Sequence, residues 1–282
     1  MHDDRSLVEA RLTRFVTDPL APALYRDARP LDIAAWQVPG EPVPFAEAIE
    51  QDFAPVPVGW RWGTAWSPVW LRITGAVPAE WADVPHTRPE VVVDFGYNRS
   101  RSGFQAEGLA YRPDGTLIKA IAPLNSWLPV VAGERVDVLI EAAANPDVAG
   151  EYTFEPTPLG DLATVGPELI YELKQLEVAL LDTDVWELLQ DVWTLRGLMA
   201  ELPLDRPRRH EVLRSLERML DVLDPDDIPG TGGAGRAELA DVLARPAAAS
   251  AHRMVATGHS HIDSAWLWPL RETVRKCART FT

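Results

Sequence analysis

Near residue 158 the apolar residues of this chain change their spacing, so one uniform layer of secondary structure cannot accommodate the whole sequence. From Gly59 to Tyr152 the spacing is that of strands. Trp60 and Trp62 alternate with small or charged residues, and Val69 to Ile73, Glu90 to Phe95, Gly108 to Tyr111, Leu117 to Ile121 and Arg135 to Ala142 continue the series. Turn signals separate them, among them Pro113-Asp114-Gly115, which predicts a hairpin. Short strands at this interval predict a β-sandwich of the jelly-roll kind over residues 59–157. The aromatic cluster Trp60, Trp62, Trp66 and Trp70 could stack on sugar rings, but filling a small core is the simpler account.

After Pro158 the period becomes 3.6. Leu169, Leu173, Leu176, Leu180 and Leu181 keep it, then Val185, Leu188, Leu189, Val192 and Leu195 with Trp186 and Trp193 beside them. His210 to Leu223 predicts a further helix, Gly230 to Gly235 a flexible loop, and Ala237 to Ala244 a last short helix. Prolines at 203, 207 and 225 keep each helix short, which favours packing over a coiled coil. Asp182-Thr183-Asp184 and Asp224-Pro225-Asp226-Asp227 lack calcium-loop spacing and read as caps and turns. Residues 158–250 are therefore a helical linker region.

Residues 1–58 open with an amphipathic helix over 6–18, where Ser6 and Glu9 have capping-box spacing. An irregular, proline-rich connection follows, with one helical turn at Phe45 to Ile49. With 46% hydrophobic residues and 11 Trp, the 282 residues can bury a sizeable core. The charged start Met-His-Asp-Asp-Arg is no secretory signal, and the single cysteine, Cys277, suits a reducing compartment, so a cytoplasmic protein is expected. A net charge of -15 weighs against nucleic acid or anionic membrane as partner.

The chemistry concentrates in Gly258-His-Ser-His-Ile-Asp-Ser-Ala-Trp-Leu-Trp-Pro269. Arg253 to Thr257 before it reads as a buried strand and Leu270 to Lys276 after it as a helix. The motif would then lie at a strand's C-terminal end, where α/β folds place their sites. In extended chain, residues two apart point the same way, so the His261 imidazole and the Asp263 carboxylate can converge on one cation. Nitrogen with oxygen suits zinc, or another divalent ion of similar character, better than calcium or magnesium. His259 shares their parity, as a third ligand or as the group that holds His261 in one tautomer.

The motif, continued by Glu272-Thr273, Arg275-Lys276 and Arg279-Thr280-Phe281, resembles the start of the catalytic domain of the α-mannosidases of glycoside hydrolase family 38, most of all the cytosolic and vacuolar branch. The β-region resembles that family only loosely, through Trp62-Gly-Thr-Ala-Trp66 and Trp70-Leu71. The resemblance implies that His261 and Asp263 bind zinc, that Trp266 lines the mannose subsite, and that a β-domain packs on the catalytic domain as scaffold. It also implies that nucleophile, acid and remaining zinc ligand lie downstream of Thr282, so that the chain carries no catalytic carboxylate and hydrolyses nothing alone.

The fold expected is thus multidomain: a jelly-roll-like β-sandwich, a helical connecting region, and the first strand and helix of a truncated α/β-barrel catalytic domain over 251–282. The expected function is the N-terminal part of a zinc-dependent retaining α-mannosidase acting on terminal α-mannosyl residues of oligosaccharides, with homo-oligomer formation left open. Two alternatives stand beside it. His259-Ser260-His261 could open a metal-dependent amidohydrolase barrel, or the chain could be a non-catalytic carbohydrate-binding or assembly module.

Overall fold

A computed structural model of the 282-residue chain describes residues 4–99, 105–147, 165–265 and 268–282. Two compact units form. One gathers the residues up to Asp27, Val84–Arg88 and Leu180–Ala256; the other gathers Ala28–Asp83, Pro89–Ala179 and Thr257–Thr282.

The predicted helical turn at Phe45 to Ile49 forms as the short helix α2 (Phe45–Ala48) of the second unit, and the first unit is helical. Helix α1 (Arg5–Phe15) buries Val8 and Leu12 against α3 (Thr183–Glu201), α4 (Pro207–Val222) and α5 (Ile228–Ala244). These supply Val185, Leu188, Val192, Val212, Leu216, Met219 and Leu239 to one apolar core. Both carboxylate runs cap helices, as their composition predicts. Asp182 accepts from the Val185 amide at 2.9 Å and Asp227 from the Gly230 amide at 3.0 Å.

Three local expectations fail here. The glycines expected as a loop lie inside α5, because Pro229 is tolerated in a first turn and missing side chains admit neighbours. A Cβ on Gly235 would sit 2.8 Å from Leu223 Cδ2. Tertiary packing of Ile228, Leu239 and Val242 therefore overrides glycine's low helix propensity. Helix α1 begins after Asp4, so Ser6 caps nothing and the Ser6–Glu9 box does not form. Trp186 and Trp193 follow the stripe in sequence but stand exposed, Trp193 by 75%.

The second unit carries the sandwich. Its larger sheet has the order β3-β2-β5-β10-β7-β8. The strands are β2 (Asp32–Gln37), β3 (Ala54–Pro55), β5 (Pro68–Ala76), β7 (Glu107–Tyr111), β8 (Leu117–Ile121) and β10 (Arg135–Ala143). The β5/β10 ladder sets Ile73 opposite Val138 and Trp70 opposite Glu141. A second sheet runs β1-β12-β6-β9, from Tyr25–Pro30 (β1), Gln175–Asp182 (β12), Thr87–Asp94 (β6) and Trp127–Pro129 (β9). A short pair joins β4 (Arg61–Trp62) to β11 (Tyr171–Glu172). The predicted hairpin closes β7 to β8 through a turn at Gly115, whose φ is 87°.

The sheets hold more strands than the spacing predicts. Residues 175–182 form β12 and not a helix: in a nearly continuous apolar run both periods fit, and pairing with β1 and β6 decides between them. Strands β1 and β2 occupy part of the expected irregular connection, where small Ala34 and Ala35 blur the alternation. Of the four clustered tryptophans, Trp62, Trp66 and Trp70 are buried, as the core account requires, and Trp60 is half-buried. Trp62 donates to Phe95 O at 3.2 Å and stacks on Tyr171 at 5.4 Å. Among the described residues no helix is long and apolar enough to cross a membrane.

Two measurements test this fold. A Cβ on exposed Gly233 meets nothing within 4 Å, so Gly233→Ala should stabilise the protein by about 1 kcal/mol in urea unfolding if 230–235 is helical. Burial pushes the Tyr111 phenol up to about 12, helped by Glu141 and opposed by Arg275 and Arg279, and it raises Tyr97 as well. The fold favours the neutral phenols, so the stabilising contribution of Tyr111 is complete below about pH 10 and is lost as pH rises through about 12, while that of Tyr97 persists to higher pH. Phenolate absorbance should show Tyr111 ionising near pH 12 and Tyr97 only on unfolding.

Candidate functional site

Helix α6 (Leu270–Phe281) belongs to the same unit as the sandwich and lies on its larger sheet with an inverted polarity. Its Glu272 and Arg279 are buried, Arg271, Arg275 and Lys276 are half-buried, and Leu270, Val274 and Phe281 face solvent. Three carboxylates, Glu107 on β7, Glu141 on β10 and Glu272 on α6, meet three cations of α6, Arg275, Lys276 and Arg279. Arg279 Nε donates to Glu107 Oε2 at 2.9 Å, and Arg279 also binds Glu272. Lys276 binds Glu107 as well, and Arg275 pairs with Glu141 and, at 3.3 Å, with Glu272.

Burial opposes charge on Arg279, yet Glu272 and Glu107 outweigh it and hold its pKa above the usual value. For Glu141 burial wins and raises its pKa, while Arg275 and Arg279 pull the other way. Opposite charges in equal number, Arg279 and Glu272 buried among them, make this a contact that is stable only when complete.

The chain before α6 is tied to its first turn. Trp268 Nε1 donates to Thr273 Oγ1 at 3.2 Å, and Thr273 Oγ1 in turn donates to Ser264 O. The Trp268 indole is buried with Trp66 and Ala65, and Ile262 packs against the same cluster. Trp66 lies in a tight loop at the sandwich tip with φ at 65°, and its amide donates to Ala144 O at 2.9 Å. Gly63 shapes that loop: at φ 70° a Cβ there would sit 2.4 Å from Ala144 Cβ.

On this support His261 Nε2 lies 2.9 Å from Asp263 Oδ1. Both side chains remain open to solvent, 74% and 41% exposed. Donors so spaced can reach one ion at zinc's bond lengths of about 2.0–2.2 Å, and their chemistry fits it. The His259 ring lies parallel to His261, its centroid 6.4 Å away. That separation matches two residues of extended chain, so parity holds, but among the described residues no three His, Cys, Asp or Glu side chains gather as a metal cluster. The structure thus brings His261 and Asp263 together and leaves His259 alongside. Trp266 lies outside the described residues.

Arg253 to Thr257, predicted as a buried strand, joins no ladder. Met254 and Val255 are 92% and 93% exposed. A strand of a parallel sheet is buried on both faces and needs partners at its edges, and no described strand offers one. The charge network escaped the sequence reading. Its signal was present in carboxylates at 107 and 141 within apolar strand runs, and in charges at 272, 275, 276 and 279 on helical spacing.

The α-mannosidase jelly roll domain matches residues 29–179, and the N-terminal domain of glycosyl hydrolases family 38 matches residues 251–282. The chain belongs to the family 38 α-mannosidases. It is 29% identical to α-mannosidase 2C1 of Mus musculus over 268 residues, and as similar to that of Homo sapiens. It is 21% identical to an α-mannosidase of Saccharomyces cerevisiae over 253 residues. These matches cover 92%, 92% and 83% of this chain, and 24%, 24% and 21% of the respective relatives, so the chain spans about a quarter of their length.

Breaking the buried network should be costly. Arg279→Leu leaves Glu107 and Glu272 short of a counter-charge and should destabilise the protein by about 3–5 kcal/mol in denaturant unfolding. An exposed pair such as Arg11–Asp221, removed in the same way, should cost under about 1 kcal/mol.

Proposed function

We propose that the native protein is a zinc-dependent retaining α-mannosidase that hydrolyses terminal α-mannosyl residues of oligosaccharides, and that His261 and Asp263 hold the metal. The observation that carries this reading is the convergence of an imidazole and a carboxylate, 2.9 Å apart, within the part of the chain that matches family 38. The relatives are named as α-mannosidases, which supports the substrate class.

Asp263 supplies negative charge and His261 a neutral nitrogen, a donor set for zinc or a divalent ion like it. When bound, such an ion supplies a Lewis acid for sugar hydroxyls and for the charge that develops at the anomeric centre. His259, parallel to His261, orients that ring without joining it on the metal. Trp266 gives the hexose an apolar wall. Nucleophile and acid are carboxylates about 5 Å apart, contributed from outside these residues, so residues 1–282 alone are inactive. The protein works in the cytoplasm, and its net charge of -15 disfavours nucleic acid and anionic membrane as partners.

The test is cleavage of an aryl α-mannoside by the protein expressed from its native gene, with and without chelator, beside His261→Ala and His259→Ala. The expected outcome is chelator-sensitive cleavage, abolished in His261→Ala and only weakened in His259→Ala. Cleavage indifferent to chelator, or none at all, refutes the proposal. Loss of metal in His259→Ala would instead indicate the two-histidine site of an amidohydrolase.

A further inference from the structure

Ile262 stands between the two proposed ligands. In extended chain its side chain points opposite to theirs, and it packs against the buried cluster of Trp66, Ala65 and Trp268. If Ile262 is seated, His261 and Asp263 must face away from the sandwich together. The seat belongs to the jelly roll, because Trp66 caps the loop that follows β4.

That loop is held at a conformational cost. A non-glycine residue at φ 65° is uncommon, and such positions persist where surrounding structure over-determines them. Here the Trp66 amide is tied to Ala144 O at 2.9 Å, the Ser67 amide to Thr64 O at 3.0 Å, and the Ile170 amide to Gly63 O at 2.9 Å. The result aims a large indole at the metal-binding segment. From the other side, Glu107 holds Lys276, whose ammonium lies 5.7 Å from the centre of the Trp268 ring.

We infer that the jelly roll is the seat of the metal-binding segment: Trp66 and Ile262 are positioning residues that fix the direction of His261 and Asp263. This rests on the metal-site reading above. The sandwich then acts on the site by geometry, without touching metal or sugar. Misdirected ligands would bind metal more weakly even in a folded protein.

Zinc affinity of the metal-free native protein, measured by competition with a chromophoric chelator, tests this beside the unfolding midpoint. Ile262→Ala and Trp66→Ala should each weaken zinc binding at least about tenfold, the scale seen when groups that orient metal ligands are removed. Ile262→Leu, which refills the seat, should restore affinity, and Ile262→Ala, at a half-buried position, should lower the unfolding midpoint only modestly. Should Trp66→Ala not fold, the Ile262 pair decides. Zinc affinity within twofold of wild type in Ile262→Ala, while His261→Ala has lost the metal, overturns the inference and spares the site. Undiminished zinc binding in His261→Ala removes the site reading itself.

Discussion

The contact between α6 and the sandwich sheet is made by charge where a helix ordinarily uses an apolar stripe. Three carboxylates and Arg279 lie buried together with half-buried Arg275 and Lys276, and the buried charges are tolerable only because their partners neutralise them. Ion pairs of this kind add little net stability over a hydrophobic equivalent, but they punish a shift in register far more. One turn of slippage along α6 would leave Arg279 dry and unpaired. The network therefore fixes where α6 starts, and with it the position of the residues just before.

Those residues are the ones with chemistry. Thr273 in the first turn of α6 binds both the Trp268 indole and the Ser264 carbonyl, and Trp268 shares a cluster with Trp66 of the sandwich tip. A short exposed segment is thus restrained at its C-terminal end, through Ser264, and at its centre, through Ile262. Pre-ordering is valuable for two ligands two residues apart, since each would otherwise sample rotamers and backbone states that point them apart. Leu270, Val274 and Phe281 of α6 are exposed apolar residues, and so, separately, are the unladdered Met254 and Val255.

In the helical unit, packing prevails over local preference. Helix α5 contains four glycines in its first half, which alone would argue for a loop, and it forms because its apolar residues join the shared core and Gly235 lets it approach Leu223 closely. The propensity cost is a few kcal/mol at most, and a shared core from four helices exceeds it. Strand β12 makes the same point in the sheet, since its leucines satisfy a helical spacing until the ladder partners on either side are supplied.

Several things were settled by the order of residues alone. The sandwich strands from β4 to β10, except β9, follow from period two and turn chemistry, both of which act over a few neighbours. The caps at Asp182 and Asp227 follow from composition, and the convergence of His261 and Asp263 follows from parity in extended chain. Tertiary structure decided the rest. Whether 175–182 is strand, whether 228–244 is one helix, whether 253–257 pairs at all, and which way α6 turns its charges depend on groups brought close from far along the chain. Local pattern cannot report those, because burial energy and buried-charge compensation exist only once the distant partner is in place.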